Sequence, residues 1–176
     1  KYMPERWRED NDHLIEKYNE LGYRDARIIS DSVVTHDDNS VDIYIDVEEG
    51  RKYYVRNIEW VGNTLYPTEY LNQILRMKKG DVYNQTHIKK RTQTDEDAIG
   101  NLYYNNGYLF YELNYEEVNI VGDSVDLEMR IKEDRQAYIS HVTIKGNDRV
   151  YENVVRRELR TKPGDLFSKE ALQRSA

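Results

Sequence analysis

The 176-residue sequence contains no cysteine, which excludes disulfide bonds, a thiolate nucleophile and cysteine-ligated zinc. It also contains no apolar run near the roughly 18 residues that a membrane-spanning helix needs. Its net charge of -7 argues against a nucleic-acid partner, because phosphate backbones are bound by concentrated basic surfaces. The short basic runs at 89–91 and 156–157 are followed by acidic residues, and we interpret them as solvated helix faces.

Residues with catalytic or metal-binding chemistry are present but are not arranged for it. Four histidines lack the spacing of metal ligands: His13, His36, His87 and His141. The acidic pair Asp37-Asp38 and the run at 95–97 lie in a predicted loop and on a predicted polar helix face, where solvated charges are the better interpretation. There is no glycine-rich phosphate loop and no nucleophile elbow. We therefore expect no enzymatic activity, no cofactor and no metal.

What the chain does contain is an internal repeat with an offset of 84 residues. Residues 54–63 align with 138–147, residues 75–81 align with 159–165, and residues 41–47 align with 125–131. Gly22-Tyr23 matches Gly107-Tyr108 at an offset of 85, so one residue is inserted or lost between them. Because three separate blocks share this spacing and a fourth differs from it by one residue, the repeat indicates tandem copies of one structural unit.

The first half of the unit is predicted as a strand followed by a helix. Residues 54–61 alternate with period two, and Gly62-Asn63 ends the strand. A helix is expected to begin near Pro67 with Thr68 as its N-cap, and Gly80 is expected to end it. The buried stripe of this helix is predicted to be Leu71, Ile74 and Leu75.

The second half of the unit is predicted as a helix followed by two strands. The helix is expected to run from its cap Asn84 to about Asn106, and Gly107-Tyr108 is expected to end it. Strands are predicted at about 111–120 and 125–131, with a hairpin at 121–124. Their alternating apolar residues indicate a sheet with helices on one face and water on the other.

The order strand, helix, helix, strand, strand resembles the POTRA domain. The matching motifs are Gly62-Asn63 after the first strand, L-R-x-K-x-G-D at 75–81 and 159–165, and Gly107-Tyr108 after the second helix. The resemblance implies an α+β fold of tandem POTRA modules, each with a three-stranded mixed sheet and two helices packed on one face. It divides the chain into the C-terminal part of one module (1–50), a complete module (51–134) and the N-terminal part of the next (135–176), which looks most like the module nearest a membrane barrel.

The same resemblance implies a function in membrane protein assembly. POTRA arrays precede the barrel of BamA-like outer-membrane protein assembly factors of Gram-negative bacteria, and they lie in the periplasm. The implied partners are unfolded outer-membrane protein clients, accessory lipoproteins and the protein's own C-terminal membrane barrel. Two alternatives stay open: a two-partner secretion or translocation transporter, and a structural spacer that binds no client. Because the sequence begins at Lys1 without methionine, we expect it to be a segment of a longer protein.

The predicted functional surface is an edge of the small sheet. In the family the second strand of the unit lies at an edge, which here is about 111–120, with an equivalent near 26–34. Extended chains can pair with the backbone of such an edge, so the resemblance predicts client binding along one segment. That segment comprises Tyr111, Glu112, Leu113, Asn114, Tyr115, Glu116, Glu117 and Val118. Alternatively, the tyrosines belong to the core, and Glu112, Glu116 and Glu117 protect the edge from pairing.

Overall fold

The computed structural model describes residues 3–38, 40–146 and 151–175. The helices are α1 (Pro4–Glu20), α2 (Thr68–Leu75), α3 (Gln85–Lys89), α4 (Ile99–Asn105), α5 (Glu152–Glu158) and α6 (Lys169–Gln173), and a π-helical turn (Lys90–Thr94) continues α3. The strands are β1 (Arg27–Thr35), β2 (Val41–Glu48), β3 (Tyr54–Val61), β4 (Glu112–Val121) and β5 (Ser124–Lys132). Within the described ranges, no helix is both long enough and apolar enough to cross a membrane.

The strands form two sheets. β1 and β2 pair antiparallel, and the other three strands have the order β3-β5-β4. Gly122 (φ +65°) lies in the tight turn that joins β4 to β5, so these two strands run antiparallel. At the start of β3 the Tyr54 N–H donates to the Asp123 carbonyl at 2.8 Å, and Gly62 at its end lies against the Ile131 carbonyl. β3 therefore runs parallel to β5, and the predicted three-stranded mixed sheet with helices is confirmed.

The chain divides into two compact units, and the division falls within β3, β4 and β5. The first unit comprises Lys1–Glu59, Met77–Lys90 and Glu116–Glu128, and the second comprises Trp60–Arg76, Arg91–Tyr115 and Met129–Ala176. Fully buried side chains of the first unit are Val55, Tyr83, Ile88, Val125 and Leu127. Those of the second are Leu71, Leu75, Ile99, Tyr103 and Met129. The predicted inward face of β5 thus supplies both cores.

Helix α2 buries Leu71 and Leu75 as predicted, but Ile74 is only half-buried and the ends of the helix differ from the prediction. It begins at Thr68, with Pro67 in the N-cap position, and the Thr68 side chain makes no capping bond. The expectation that Gly80 ends the helix is also wrong: Arg76 adopts the left-handed conformation (φ 54°) directly after Leu75. Gly80 is instead used in the turn beyond, where its N–H donates to the Val55 carbonyl at 2.7 Å.

The predicted second helix is broken in the middle. Asn84 caps α3 as expected, because its side chain accepts the His87 N–H at 2.7 Å. The break has a tertiary cause: Arg91 of the π-helical turn is 4% exposed, and its Nε donates to the carbonyl of Ile74 in α2 at 2.7 Å. The same guanidinium pairs with Asp95 and Asp97, so the segment between the π-helical turn and α4 wraps around a buried cation. These two carboxylates are ion-pair partners, not the freely solvated charges expected.

Both Gly-Tyr pairs end their helices as predicted. The Tyr108 N–H donates to the Tyr103 carbonyl at 3.1 Å, and the Tyr23 N–H donates to the Tyr18 carbonyl at 2.9 Å. Gly107 has a φ of +87°, a value that glycine tolerates better than other residues. The paired rings lie close together, with centroids 5.9 Å apart at the second site.

The last segment departs from the repeat. Residues 138–147 align with β3, but the described part of this segment contains no strand, only a single bridge between Tyr138 and Leu166. Asn147 lies outside the described residues. The physical reason is that a strand needs a neighbour to satisfy its backbone groups, and the repeat places those neighbours in its later strands. Ser168 caps α6 as Asn84 caps α3, by accepting the Ala171 N–H at 3.2 Å.

Candidate functional site

The predicted binding strand lies at an edge of the three-stranded sheet. β4 has β5 as its neighbour, and among the described strands none lies on its other side. Of the eight residues predicted to bind, the seven from Glu112 to Val118 belong to this strand. Tyr111 precedes it. The backbone arrangement that strand addition requires is therefore present at β4.

Side chains along the first part of β4 alternate in exposure. Leu113, Tyr115 and Glu117 are half-buried, and the residues between them are exposed. This alternation is that of a strand with one face toward the interior. Val118 is 50% exposed.

Tyr111 is a core residue and not part of the exposed edge. It is 7% exposed, and its ring stacks on that of Tyr103, with centroids 4.3 Å apart and an interplanar angle of 10°. The Tyr104 ring meets it edge-on at 5.8 Å. Burial, with a smaller contribution from Tyr104, raises the pKa of Tyr111 well above its ordinary value of 10.0. Tyr111 therefore fixes the start of β4 to α4, which agrees with the alternative that tyrosines serve the core.

Glu117 has a structural role that its sequence position did not reveal. Its Oε1 accepts the Tyr83 hydroxyl at 2.7 Å and the Gln85 amide at 3.2 Å, and its Oε2 lies 2.6 Å from the Arg24 guanidinium. The Glu117 carboxylate raises the pKa of Arg24 through this hydrogen bond. Glu117 therefore ties β4 to α3 and to the segment between α1 and β1, and the expectation that it protects the edge as a surface charge is not met.

Glu112, unlike Glu117, is exposed. Its carboxylate lies 3.9 Å from the Lys132 ammonium, and the two side chains are 62% and 66% exposed. A pair this open to solvent contributes little to stability. The Glu112 side chain can therefore change its contacts at little cost, and its negative charge lies beside the first residues of the β4 edge.

A groove of about 410 Å³ runs beside the first residues of β4. One wall is formed by the segment from Tyr111 to Asn114, and the other comes from the π-helical turn and α4 through Thr92, Gln93, Gly100 and Tyr104. The backbone of α4 packs closely against the π-helical turn at Gly100, because a Cβ there would lie 3.0 Å from the Thr92 carbonyl. A strand added to β4 would direct alternate side chains into this groove. In the sequence, the signal for the wall formed by the π-helical turn and α4 was Gly100, a glycine inside the predicted second helix.

The equivalent strand of the first segment is β1, which the structure places at Arg27–Thr35, one residue later than predicted. It pairs with β2 through Arg27 opposite Glu48 and Thr35 opposite Val41, with one irregularity between Ile28 and Ser30. Ile29 is 64% exposed beside that irregularity. A pocket of about 380 Å³ at one end of this sheet is lined by Arg27, Glu48 and neighbouring loop residues without a helix. The groove beside β4 has a wall from α4, so β4 is the stronger candidate site.

Three of the histidines and Asp38, which were weighed for catalysis or metal binding, have local hydrogen-bond partners. His36 pairs with Asp42 at 2.9 Å, His141 contacts Ser140, and the His87 backbone is held by Asn84. Hydrogen bonds from Ser40 lower the pKa of Asp38 in the exposed β1–β2 loop. Over the described ranges, no group of three or more histidine, aspartate or glutamate side chains is positioned to hold a metal ion. The geometry at β4 is that of a sheet edge with one strand neighbour among the described strands.

Known proteins share both the sequence and the fold. The model of the POTRA family, described as a surface antigen variable number repeat, matches residues 1–50, 53–134 and 137–176. The outer membrane protein assembly factor BamA of Nitratidesulfovibrio vulgaris is 29% identical over 155 residues, which are 88% of this chain and 20% of the relative. That of Neisseria meningitidis serogroup B is 27% identical over 177 residues, covering 99% of this chain and 22% of the relative.

Among solved structures, POTRA domains 3–5 of Haemophilus influenzae BamA superimpose with a TM-score of 0.73 at 19% identity. The match covers 96% of this chain and 66% of that one, which shows that the fold is shared. The chain spans roughly one fifth of the length of the two curated relatives.

Proposed function

This chain belongs to the POTRA family, and from that membership we propose that it is part of an outer membrane protein assembly factor and acts at the periplasmic face of the outer membrane. Two relatives that match 88% and 99% of the chain carry that name, which supports the proposal. Its clients are unfolded outer-membrane proteins. Accessory lipoproteins and the membrane barrel of the same protein are its other partners.

The binding surface for clients is the open side of β4 together with the adjacent groove. The observation that carries this assignment is the strand order β3-β5-β4, which leaves β4 with one strand neighbour among the described strands. An extended client segment adds to this side as a further strand through backbone hydrogen bonds. Because every residue except proline supplies the same N–H and C=O groups, the site accepts clients of different sequence.

The groove adds affinity to this backbone pairing. A net hydrogen bond contributes about 1 kcal/mol, so three to five of them provide about 3–5 kcal/mol, which corresponds to dissociation constants near the millimolar range. The Tyr104 ring and the apolar Leu113 side chain lie along the groove and offer contact area to client side chains. Binding of this strength suits a surface that must release each client to the next step.

Proline substitution in β4 tests this assignment. Leu113→Pro and Asn114→Pro each remove one backbone N–H, and in an antiparallel pair neighbouring N–H groups point to opposite sides of the strand. One variant therefore loses a bond to β5 and is destabilised, and the other keeps its fold and disrupts only the open side. The folded variant is expected to bind an unfolded outer-membrane-protein peptide about tenfold more weakly, from the loss of about 1.4 kcal/mol.

The control for these variants is Asn114→Ala, which removes the exposed side chain and keeps the N–H. It is expected to bind the same peptide with unchanged affinity, since backbone pairing does not depend on that side chain. Equal affinity of the folded proline variant and the parent chain contradicts strand addition and favours the spacer function. Binding of one dedicated secreted protein, with no binding of outer-membrane-protein peptides, favours the secretion transporter.

A further inference from the structure

The C-terminal ends of α1 and α4 receive the chain that follows them in the same way. The Gly22 carbonyl accepts the Tyr53 N–H at 2.8 Å, and the Gly107 carbonyl accepts the Ala137 N–H at 2.8 Å. Tyr53 and Ala137 occupy matching positions at the start of consecutive repeats. The first contact lies within one compact unit and the second within the other, so the two ends provide independent observations of one arrangement.

The backbone around each contact is also repeated. The Tyr53 carbonyl accepts the Tyr83 N–H, and the Ala137 carbonyl accepts the Phe167 N–H, both at 2.9 Å. The next residues form single bridges, Tyr54 with Val82 and Tyr138 with Leu166. Each glycine carbonyl therefore continues a short ladder that begins the following repeat.

At each glycine an aliphatic side chain also packs where a Cβ would otherwise lie. A Cβ on Gly22 would lie 2.5 Å from Val82 Cγ1, and one on Gly107 would lie 2.6 Å from Leu166 Cδ1. Carbon atoms in contact prefer separations of about 3.5–4.0 Å, so no other residue fits without moving the seated side chain. Gly164 has a similar backbone, with a φ of +92°, but nothing lies within 4 Å of its Cβ position. At both Gly-Tyr pairs the close neighbour is an aliphatic side chain, whereas at Gly62 it is the Ile131 backbone carbonyl.

Polar contacts lie near both of these glycine sites. At the first, the Asn84 side-chain amide donates to the Glu20 carbonyl at 3.1 Å. At the second, the Asn105 side chain accepts the Glu170 N–H at 2.9 Å, and Lys169 donates to Asn101 at 2.7 Å. The N-terminal end of α3 is thereby held against the end of α1, and the N-terminal end of α6 is held against α4.

We propose that each Gly-Tyr pair is a docking socket for the next repeat of the array. The bare glycine face takes a branched aliphatic side chain, here Val82 or Leu166, and the glycine carbonyl takes the first backbone N–H of the incoming repeat. The partner that fits this socket is a further copy of the same unit with an aliphatic residue directly before its aromatic Tyr83 or Phe167 position. The socket sets the position of successive repeats and does not depend on client binding at β4.

Spin labels test the second socket in the full chain. The absence of cysteine allows labels to be placed through Glu69→Cys in α2 and Arg157→Cys in α5, both on exposed side chains of the second unit. Gly107→Ala is expected to shift the inter-label distance by about 1 Å or more and to broaden its distribution, because the Leu166 carbons must retreat to contact distance. Gly164→Ala carries the same backbone strain without the close neighbour and is expected to leave the distribution unchanged.

A compensating variant keeps the test decisive if Gly107→Ala folds poorly. Gly107→Ala combined with Leu166→Ala leaves room for the new methyl group, so it is expected to recover the parent mean distance, at least in part. Recovery with the double variant supports the socket. Equal effects of Gly107→Ala and Gly164→Ala, or no recovery on removing the Leu166 side chain, overturn it.

Discussion

Glu133 provides the sharpest test of how the central repeat is held together. Its Oε1 accepts the N–H groups of Thr64 and Leu65 at 3.0 and 2.9 Å and the Tyr103 hydroxyl at 2.9 Å, and its Oε2 accepts the Thr64 hydroxyl. One carboxylate therefore joins the end of β5, the loop after β3 and the core face of α4. We predict that Glu133→Gln and Glu133→Ala destabilise the chain to clearly different extents.

The size of each effect follows from the donors. Glutamine can place its carbonyl oxygen where Oε1 lies, so the three hydrogen bonds to that atom are kept. The acceptor is then neutral instead of charged, which weakens each bond by about 1 kcal/mol before relaxation. We expect Glu133→Gln to lower the free energy of unfolding by about 2 kcal/mol. Alanine leaves the N–H groups and the Tyr103 hydroxyl without this acceptor, and we expect a loss of about 3–4 kcal/mol.

The effect also depends on pH. Burial acts to raise the pKa of Glu133, but the hydrogen bonds from Thr64, Leu65 and Tyr103 outweigh it, and the net pKa lies below the ordinary value of 4.5. A carboxyl group with a lowered folded-state pKa contributes its stability above the unfolded-state pKa, and this contribution is lost as the pH falls through the folded-state value. The difference between the parent chain and Glu133→Gln should therefore shrink as the pH is lowered from 7 to below 4.5.

Urea denaturation at pH 7 and at acidic pH measures both effects. Glu49 is the matched control, because it occupies the same repeat position, is exposed and interacts with Tyr18 as Glu133 does with Tyr103. We expect Glu49→Gln to cost less than about 1 kcal/mol, since an exposed carboxylate is already solvated. A loss below about 0.5 kcal/mol for Glu133→Gln, or a loss that does not depend on pH, refutes the role of the Glu133 carboxylate in joining these elements.

Three further changes test the core and its boundaries by the same denaturation assay. Leu127→Ala should cost about 3 kcal/mol, because this side chain is 0% exposed and its removal leaves a cavity; a cost below about 1 kcal/mol contradicts its place in the core. Arg91→Lys should cost about 2 kcal/mol, since lysine cannot bond Asp97 and the Ile74 carbonyl together as the guanidinium does; unchanged stability contradicts the ion-pair cause of the helix break. Asn84→Ala should cost about 1 kcal/mol through loss of the α3 cap, and serine at this position should restore most of it.

Local chemistry made much of the fold predictable. The Gly107-Tyr108 helix end, the Asn84 cap and the alternation of β5 depend on residues close together in sequence, so their patterns are visible without the structure. The position of β4 at an edge came from the POTRA resemblance and is confirmed by the strand order. Whether that edge binds clients stays a prediction.

The parts that were mispredicted depend on distant partners. The helix break after the π-helical turn is set by the bond from Arg91 to Ile74 in another helix, and in the sequence the polar run at 92–97 only weakens the helix prediction. In the sequence Glu117 cannot be told from the other glutamates of β4, but in the structure its carboxylate is half-buried because it binds Tyr83 and Arg24. Arg76 adopts the left-handed conformation that was expected at Gly80, and the Gly80 N–H instead bonds the Val55 carbonyl of β3, which is distant in sequence.

Intermolecular nuclear Overhauser effects measure strand addition at β4 most directly. An isotope-labelled chain mixed with an unfolded outer-membrane-protein peptide should show cross-strand contacts between peptide backbone protons and residues 112–115, and peptide side-chain contacts to Tyr104 and Gly100 in the groove. Peptide contacts confined to the helices away from β4, or binding that leaves the β4 amide resonances unchanged, would contradict the proposed client site.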